Sequence, residues 1–163
     1  MVDRIPAGCS GLIPHLKCGD AAAAIEFYKK AFGAVEVSRM MAMDGKRIMH
    51  AALTLNGQLL FLADEFPEFC GGKELNPKAL GGTPIVLHRY VDDCDAAIAQ
   101  AEKAGATVEM PASDMFWGDR YGVIIDPFGF TWSLATHQRD LTPEQMDKEF
   151  QEMMKQAPGK PQS

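Results

Sequence analysis

A chain of 163 residues with 47% hydrophobic and 23% charged side chains has the make-up of a folded globular protein with room for a real core. Its net charge of −6 argues against a nucleic-acid partner, because phosphate binding needs clustered Lys and Arg; the doublet Lys29-Lys30 reads as the solvated face of a helix. No apolar run approaches the roughly 20 residues of a membrane span, and the opening MVDRIPAGCSG lacks a charged-then-apolar leader pattern, so a cytoplasmic protein that meets no membrane is expected.

The first strand-like run, LIPHLKC (12–18), ends just before Asp20, a side chain suited to capping a helix. Ala24, Phe27, Tyr28, Ala31 and Phe32 then share one face of a predicted helix that Gly33 closes. AVEVSRMMAM, RIMHAALTL and QLLFLAD read as three further strands. They are joined by Asp44-Gly45 and Asn56-Gly57, pairs that favour tight hairpins. A Gly- and Pro-rich connection follows at residues 66–83 and is read as a loop, long enough to fold over a cavity or against a second chain. The strand PIVLHRYV comes next, and Asp93 caps a second helix with Ala97, Ile98, Ala101 and Ala104 inward and Gly105 at its end. TVEMPAS, YGVIID and FTWSLAT are strands, WGDRYG is the connection into the second of them, and DPFG (126–129) is a turn. Alternation with Ser133 points Trp132 to the helix layer. Beyond residue 138, Thr142 and Gln145 form a capping box around Pro143, and Met146, Phe150, Met153 and Met154 line one face of a final helix. The closing QAPGKPQS is expected to be disordered.

The two halves share a register. His15 meets His88, Asp20 meets Asp93, Ile25 meets Ile98 and Lys30-Ala31 meets Lys103-Ala104, all 73 residues apart. After one deletion, Gly33-Ala34, Gly57 and Leu62-Ala63 meet Gly105-Ala106, Gly129 and Leu134-Ala135 at 72. The chain is therefore read as a duplicated strand–helix–three-strand unit: a first βαβββ module at 10–65, the connection at 66–83, a second module at 84–138, an amphipathic helix at 139–157 and a tail at 158–163.

With AIEFYKKAFGA in the first unit and WGDRYG, DPFG and the ATH of the last strand in the second, the chain resembles the vicinal oxygen chelate superfamily, which includes glyoxalase I, extradiol dioxygenases and bleomycin-resistance proteins. The similarity covers roughly residues 10–138 and is closest to the PhnB-like branch. It implies an α+β fold in which each module curls a mixed sheet, carries its helix outside, and contributes to a ligand cup, with two copies often exchanging modules as a dimer. Metal-dependent members hold an ion with one ligand on the first and one on the last strand of each unit. Those stations fall here on Ile13, Phe61, Val86 and Ser133, and this set lacks the imidazole, carboxylate or thiolate donors that a divalent ion wants. No metal and no cofactor is therefore expected. The branch motif often ends DPFG-H, whereas Phe130 stands in that place here.

Alternation along the strands sets His15 on the face of Ile13 and His88 on the face of Val86. Both are candidate ligand contacts or bases, or half-buried histidines bonded to backbone; His50 is a third of the same kind. Trp117 and Tyr121 are candidate stacking walls, and Asp119 and Arg120 a candidate clamp for an anionic or polar ligand. The alternative reading has Arg120 paired with a carboxylate to fix its loop and Trp117 packed as a lid or at a dimer contact. Phe61 and Ser133 complete the ligand-binding set. His137 is expected to bond locally or to help dock the final helix. Cys9, Cys18, Cys70 and Cys94 lack metal or redox spacing and are read as reduced thiols; Cys18 and Cys94 stand beside helix starts, where a thiol pKa can fall. The expected protein is a homodimer that binds an unidentified small molecule without a metal. The alternatives are a glyoxalase-type or dioxygenase-like enzyme with an atypical metal or acid–base site, and a dimeric interaction module whose cup is occluded.

Overall fold

Each half of the chain grows from one capped helix. In the computed structural model, which describes residues 2–156, β1 (His15–Cys18) leads into α1 (Ala21–Phe32). The Asp20 carboxylate accepts from the Ala23 amide at 2.9 Å, and Gly33 ends the helix with φ 65°, a backbone state that costs glycine little. Strands β2 (Val35–Met41), β3 (Ile48–Leu55) and β4 (Gln58–Asp64) follow as a meander. Asn56 and Gly57 turn the β3–β4 hairpin with φ of 48° and 82°, the two positive values that suit a right-twisted ribbon. The sheet runs β1-β4-β3-β2, with β1 parallel to β4 and the other pairs antiparallel.

The connection is not a bare loop. It holds a 3-10 turn at Pro67–Phe69 and a short helix, α2 (Pro77–Leu80), capped by Asn76. Glu65 accepts from the Leu75 amide and the Asn76 side chain, and Arg47 reaches Glu68 at 2.6 Å while lying over the Phe66 ring. Those contacts order the segment against the first module.

The second half repeats the first as β5 (Val86–Tyr90), α3 (Cys94–Ala104), β6 (Thr107–Asp114), β7 (Asp119–Ile125) and β8 (Thr131–His137), ordered β5-β8-β7-β6. The molecule thus has the α+β architecture of two βαβββ modules. Two expected strand starts shift. β1 begins at His15, three residues later, since Pro14 has no amide hydrogen and only its carbonyl is used, by the Phe61 amide at 2.9 Å. β7 begins at Asp119, because Gly118 closes a turn onto the Met115 carbonyl at 3.0 Å; Asp119 and Arg120 are strand residues.

One apolar core runs through both halves. Tyr28 and Phe32 of α1, Ile98 of α3, and Trp132 and Leu134 of β8 belong to one cluster, and α1 packs on α3. Trp132 sits in this helix layer, 4.7 Å from Phe32 between ring centroids. Two buried carboxylates bind the layer. Asp64 accepts from the amides of Ala21 and Ile48, both at 2.6 Å. Asp126 accepts from the Tyr28 hydroxyl at 2.7 Å, Trp132 Nε1 at 3.0 Å and the amides of Phe128 and Phe130 at 2.9 Å. Burial pushes its pKa above the ordinary value despite those donors.

The final helix, α4 (Pro143–Gln156), opens with the reciprocal Thr142–Gln145 cap. Phe150 packs 5.0 Å from Phe116, and Arg139 pairs with Glu149, while Met153 and Met154 stay exposed. Residue 157 of the expected helix and the expected tail at 158–163 lie outside the described residues. Among the described residues, no helix is long and apolar enough to cross a membrane.

Candidate functional site

Strand alternation and register assign every candidate to a face. In the first sheet, Leu16, Leu53, Leu60 and Leu62 turn towards α1, so His15, Ala52, Phe61 and Ala63 occupy the opposite, open face. His15 stands directly across from Phe61 in the parallel β1–β4 pair. His50 joins them, with ring centroids 5.6 Å from His15 and 4.8 Å from Phe61, and His15 lies 6.1 Å from Phe61. The three rings meet edge to face, the arrangement that aromatic quadrupoles favour. The His15 imidazole is held below its ordinary pKa, first by loss of water and then by the charges of His50 and Lys17. It is therefore a neutral ring near pH 7.

In the second sheet, Trp132 and Leu134 face the helices, which places Ser133, Ala135, Tyr121 and Val123 on the open face. His88 pairs with Ser133 in the β5–β8 register, and its Nδ1 lies 2.7 Å from the buried Ser133 hydroxyl. Its Nε2 has no partner among the described residues. The His88 ring meets Tyr90 at 4.9 Å and lies nearly parallel to Tyr121 at 6.2 Å, and Tyr121 meets Trp117 at 5.5 Å. Four candidates, His88, Ser133, Tyr121 and Trp117, thus form one continuous patch.

Asp119 anchors that patch. Its buried carboxylate accepts from Tyr90 Oη at 2.9 Å and Trp117 Nε1 at 3.0 Å, and faces His137 Nδ1 at 2.7 Å. Burial pushes its pKa up, but the hydrogen bonds from His137, Tyr90 and Trp117 outweigh this and hold it below the ordinary value. His137 is raised in turn by Asp119 and then Asp140. Asp119 is therefore a fixed anion that orients Tyr90 and Trp117, its neighbours in the patch.

Arg120 does not join the patch. It pairs in register with Thr136, on the helix side of the sheet, and its guanidinium is bonded to Asp95 of α3 at 2.5 and 2.8 Å and to Asp114 at 3.1 Å. Cys18 and Cys94 are buried, and the desolvation that raises their pKa values overrides any lowering by the adjacent helix starts.

A cleft of about 640 Å³ lies between the modules. β1 and β5, each an edge strand, border it, and both His15 and His88 reach it. Trp132, Phe130 and Leu60 supply apolar wall, with Arg89 and Tyr90 at the β5 side and Thr83 and Ile85 from the end of the connection. Sequence reasoning missed Arg89, Tyr90 and Asp126. Arg89 and Tyr90 sit within the quoted PIVLHRYV strand, and Asp126 within DPFG, where the turn explained the residue without its second role.

Two strand–helix–three-strand modules with a cleft between their first strands define a duplicated-module α+β fold. A Glyoxalase/Bleomycin resistance protein/Dioxygenase superfamily model matches residues 13–134, and the chain belongs to that superfamily. It is 50% identical over 135 residues to an uncharacterized protein of Mycobacterium tuberculosis (strain ATCC 25618 / H37Rv), covering 83% of this chain and 79% of that one. The crystal structure of TioX from Micromonospora sp. ML1 is similar at TM-score 0.61 and 26% identity, over 78% of this chain and 98% of that chain. A glyoxalase-related enzyme from Fulvimarina pelagi shares the fold at TM-score 0.62 and 21% identity, over 78% and 88%.

The residues present do not fit a divalent ion of the kind the superfamily uses. Ile13, Phe61 and Val86 carry no donor atom, and Ser133 is engaged with His88. Among the described residues, no group of three or more His, Cys, Asp or Glu side chains converges as an ion would require. His15 and His50 alone make two imidazole ligands, short of the three protein ligands of a usual catalytic site.

Proposed function

We propose that this chain is a small-molecule-binding member of the superfamily, nearest its PhnB-like branch, that works without a metal. Its ligand is an aromatic or polar-aromatic molecule taken between the two sheets. The observation that carries this reading is the cleft itself: about 640 Å³ is within the usual range for organic ligands. Apolar wall surrounds it, and one imidazole from each module meets it. His88 offers Nε2 as a hydrogen-bonding atom, neutral His15 a second polar edge, and the Tyr121–Trp117 patch a stacking surface continuous with His88. Asp119 holds Trp117, and Tyr121 packs against the Trp117 and His88 rings, so the surface is pre-ordered before a ligand arrives. We further propose that the protein acts as a homodimer in the cytoplasm and takes no nucleic-acid partner.

Native mass spectrometry of protein purified without chelator, combined with a thermal-shift screen of aromatic compounds, tests the reading. A co-purified or screened organic molecule whose binding weakens in His88→Ala and Tyr121→Ala is the expected result. Elemental analysis of the same sample addresses the metal. A stoichiometric ion lost in His15→Ala or His50→Ala would overturn the metal-free part, and a cleft that takes no organic molecule would overturn the whole.

A further inference from the structure

Arg89 stands apart from the other arginines. The chain has six. Arg39, Arg47, Arg120 and Arg139 each pair with a carboxylate, and Arg4 lies exposed near the N-terminus. Arg89 is partly buried in β5, in register with the fully buried Leu134. Among the described residues it has no hydrogen-bond acceptor and no carboxylate within 4.0 Å. Its one polar compensation is the Phe32 ring, 5.1 Å from the guanidinium carbon. Burial lowers its pKa, and no neighbouring acid opposes that. A cation partly stripped of water and left unpaired is costly, and a protein with 22 acidic residues does not lack partners for it.

The surroundings of Arg89 repeat the contrast. It borders both the cleft and a smaller pocket of about 280 Å³ between the end of α1 and α3. Among the described residues, no Asp or Glu lines either. Among the described residues Arg89 is the only Lys or Arg on either wall, and His15 at the cleft is held below its ordinary pKa. In a chain of net charge −6, this region has been kept free of anions around one guanidinium whose planar fork matches an oxyanion.

We propose that the ligand of the cleft is an organic anion, an apolar or aromatic body carrying one carboxylate, sulfonate or similar oxyanion, and that Arg89 binds that group. This rests on the reading of the cleft as a small-molecule site and names the chemistry of what enters it. The apolar body lies against Trp132, Phe130 and Leu60, and the oxyanion completes the coordination that Arg89 lacks. Charge-assisted hydrogen bonds to guanidinium are the strong ones, so the anion supplies affinity and fixes which end of the molecule enters first.

The test uses two fluorescent probes with a common body. 1-Anilinonaphthalene-8-sulfonate carries the anion, and N-phenyl-1-naphthylamine is the same framework without it. Titrating each into the wild-type protein and into Arg89→Gln should show the sulfonate favoured by about tenfold or more in the wild type. That preference should vanish in the variant, with the neutral probe unchanged. Arg89→Gln should melt no lower than wild type, since it removes an unpaired cation. If the neutral probe binds as tightly as the sulfonate and the variant alters neither, the cleft remains a binding site and the anion assignment falls. If the variant melts lower and loses both probes alike, Arg89 is structural and the assignment falls. If neither probe binds, the reading of the cleft falls and takes the assignment with it.

Discussion

Removing the Tyr28 hydroxyl tests how the two halves are joined. Tyr28 belongs to α1 of the first module, and its hydroxyl donates to Asp126 of the second at 2.7 Å. The same carboxylate holds the Trp132 indole at 3.0 Å, and Trp132 is a wall of the cleft. Four donors on two oxygens suit an ionised carboxylate, so each bond is of the charged kind, worth about 1.5–3 kcal/mol. Tyr28→Phe should therefore destabilise by about 2 kcal/mol. Asp126→Ala strands two buried side-chain donors, at about 1–3 kcal/mol each, so a loss of about 4 kcal/mol is expected, a large share of the usual 5–15 kcal/mol. In the double variant the tyrosine donor no longer exists to be stranded, and the combined loss should fall short of the sum by about 1 kcal/mol or more. Urea unfolding followed by tryptophan fluorescence and by far-ultraviolet circular dichroism supplies the three free energies. Additive losses, or a Tyr28→Phe protein within about 0.5 kcal/mol of wild type, would refute the argument that this bond couples the modules.

Three further outcomes are expected. His137 has a folded pKa above its ordinary 6.5, so its pairing with Asp119 stabilises below that value and is lost as pH rises through the raised one. Asp119, held below 3.8, stabilises above that value and loses its share as the solution is acidified past it. Melting temperatures from about pH 5 to 9 should decline on the alkaline side in wild type and much less in His137→Gln; equal profiles would count against the pair. At Gly122 an added Cβ would lie 2.4 Å from Ile98 Cδ1 and 2.9 Å from the Met110 carbonyl oxygen, and the carbonyl cannot step aside without breaking the β6–β7 ladder. Gly122→Ala should cost about 1–3 kcal/mol by denaturant titration, and an unchanged midpoint would show that the sheet yields there. Exposed Cys70 should react with a disulfide reagent in the native protein, whereas buried Cys18 and Cys94 should react only after unfolding; rapid labelling of either buried thiol would contradict the burial that raises its pKa.

The modules, their helices and most turns were legible because each is set by local chemistry. Asp20 and Asp93 cap, Gly33 and Gly105 terminate, and Asn56-Gly57 turns a hairpin, and none of these needs knowledge of the rest of the chain. The Phe27–Tyr28–Phe32 stripe was equally readable from helical spacing. Tertiary partners were not. Arg120 has the same composition cue as a ligand clamp, and only the pairing of its strand shows that Asp95 lies within reach on the helix side. The shift of β7 to include Asp119 depends on the Gly118 turn, which a run of WGDRYG does not announce. Arg89 is the reverse case: its meaning lies in the lack of a nearby carboxylate, and a sequence cannot display a missing neighbour. The short helix in the connection rests on Glu65 reaching forward to Leu75 and Asn76, a link between residues that no periodicity joins.

The common core of Tyr28, Phe32, Ile98 and Trp132 has a consequence for how this duplicated protein comes apart. A tandem array whose units touch only at a seam melts in stages, each unit with its own midpoint. Here the aromatic centre is shared across the duplication, so neither copy retains a complete interior when the other opens. The inheritance of two similar halves has become a single cooperative body, and a cut within the connection would leave fragments that regain structure only in each other's company.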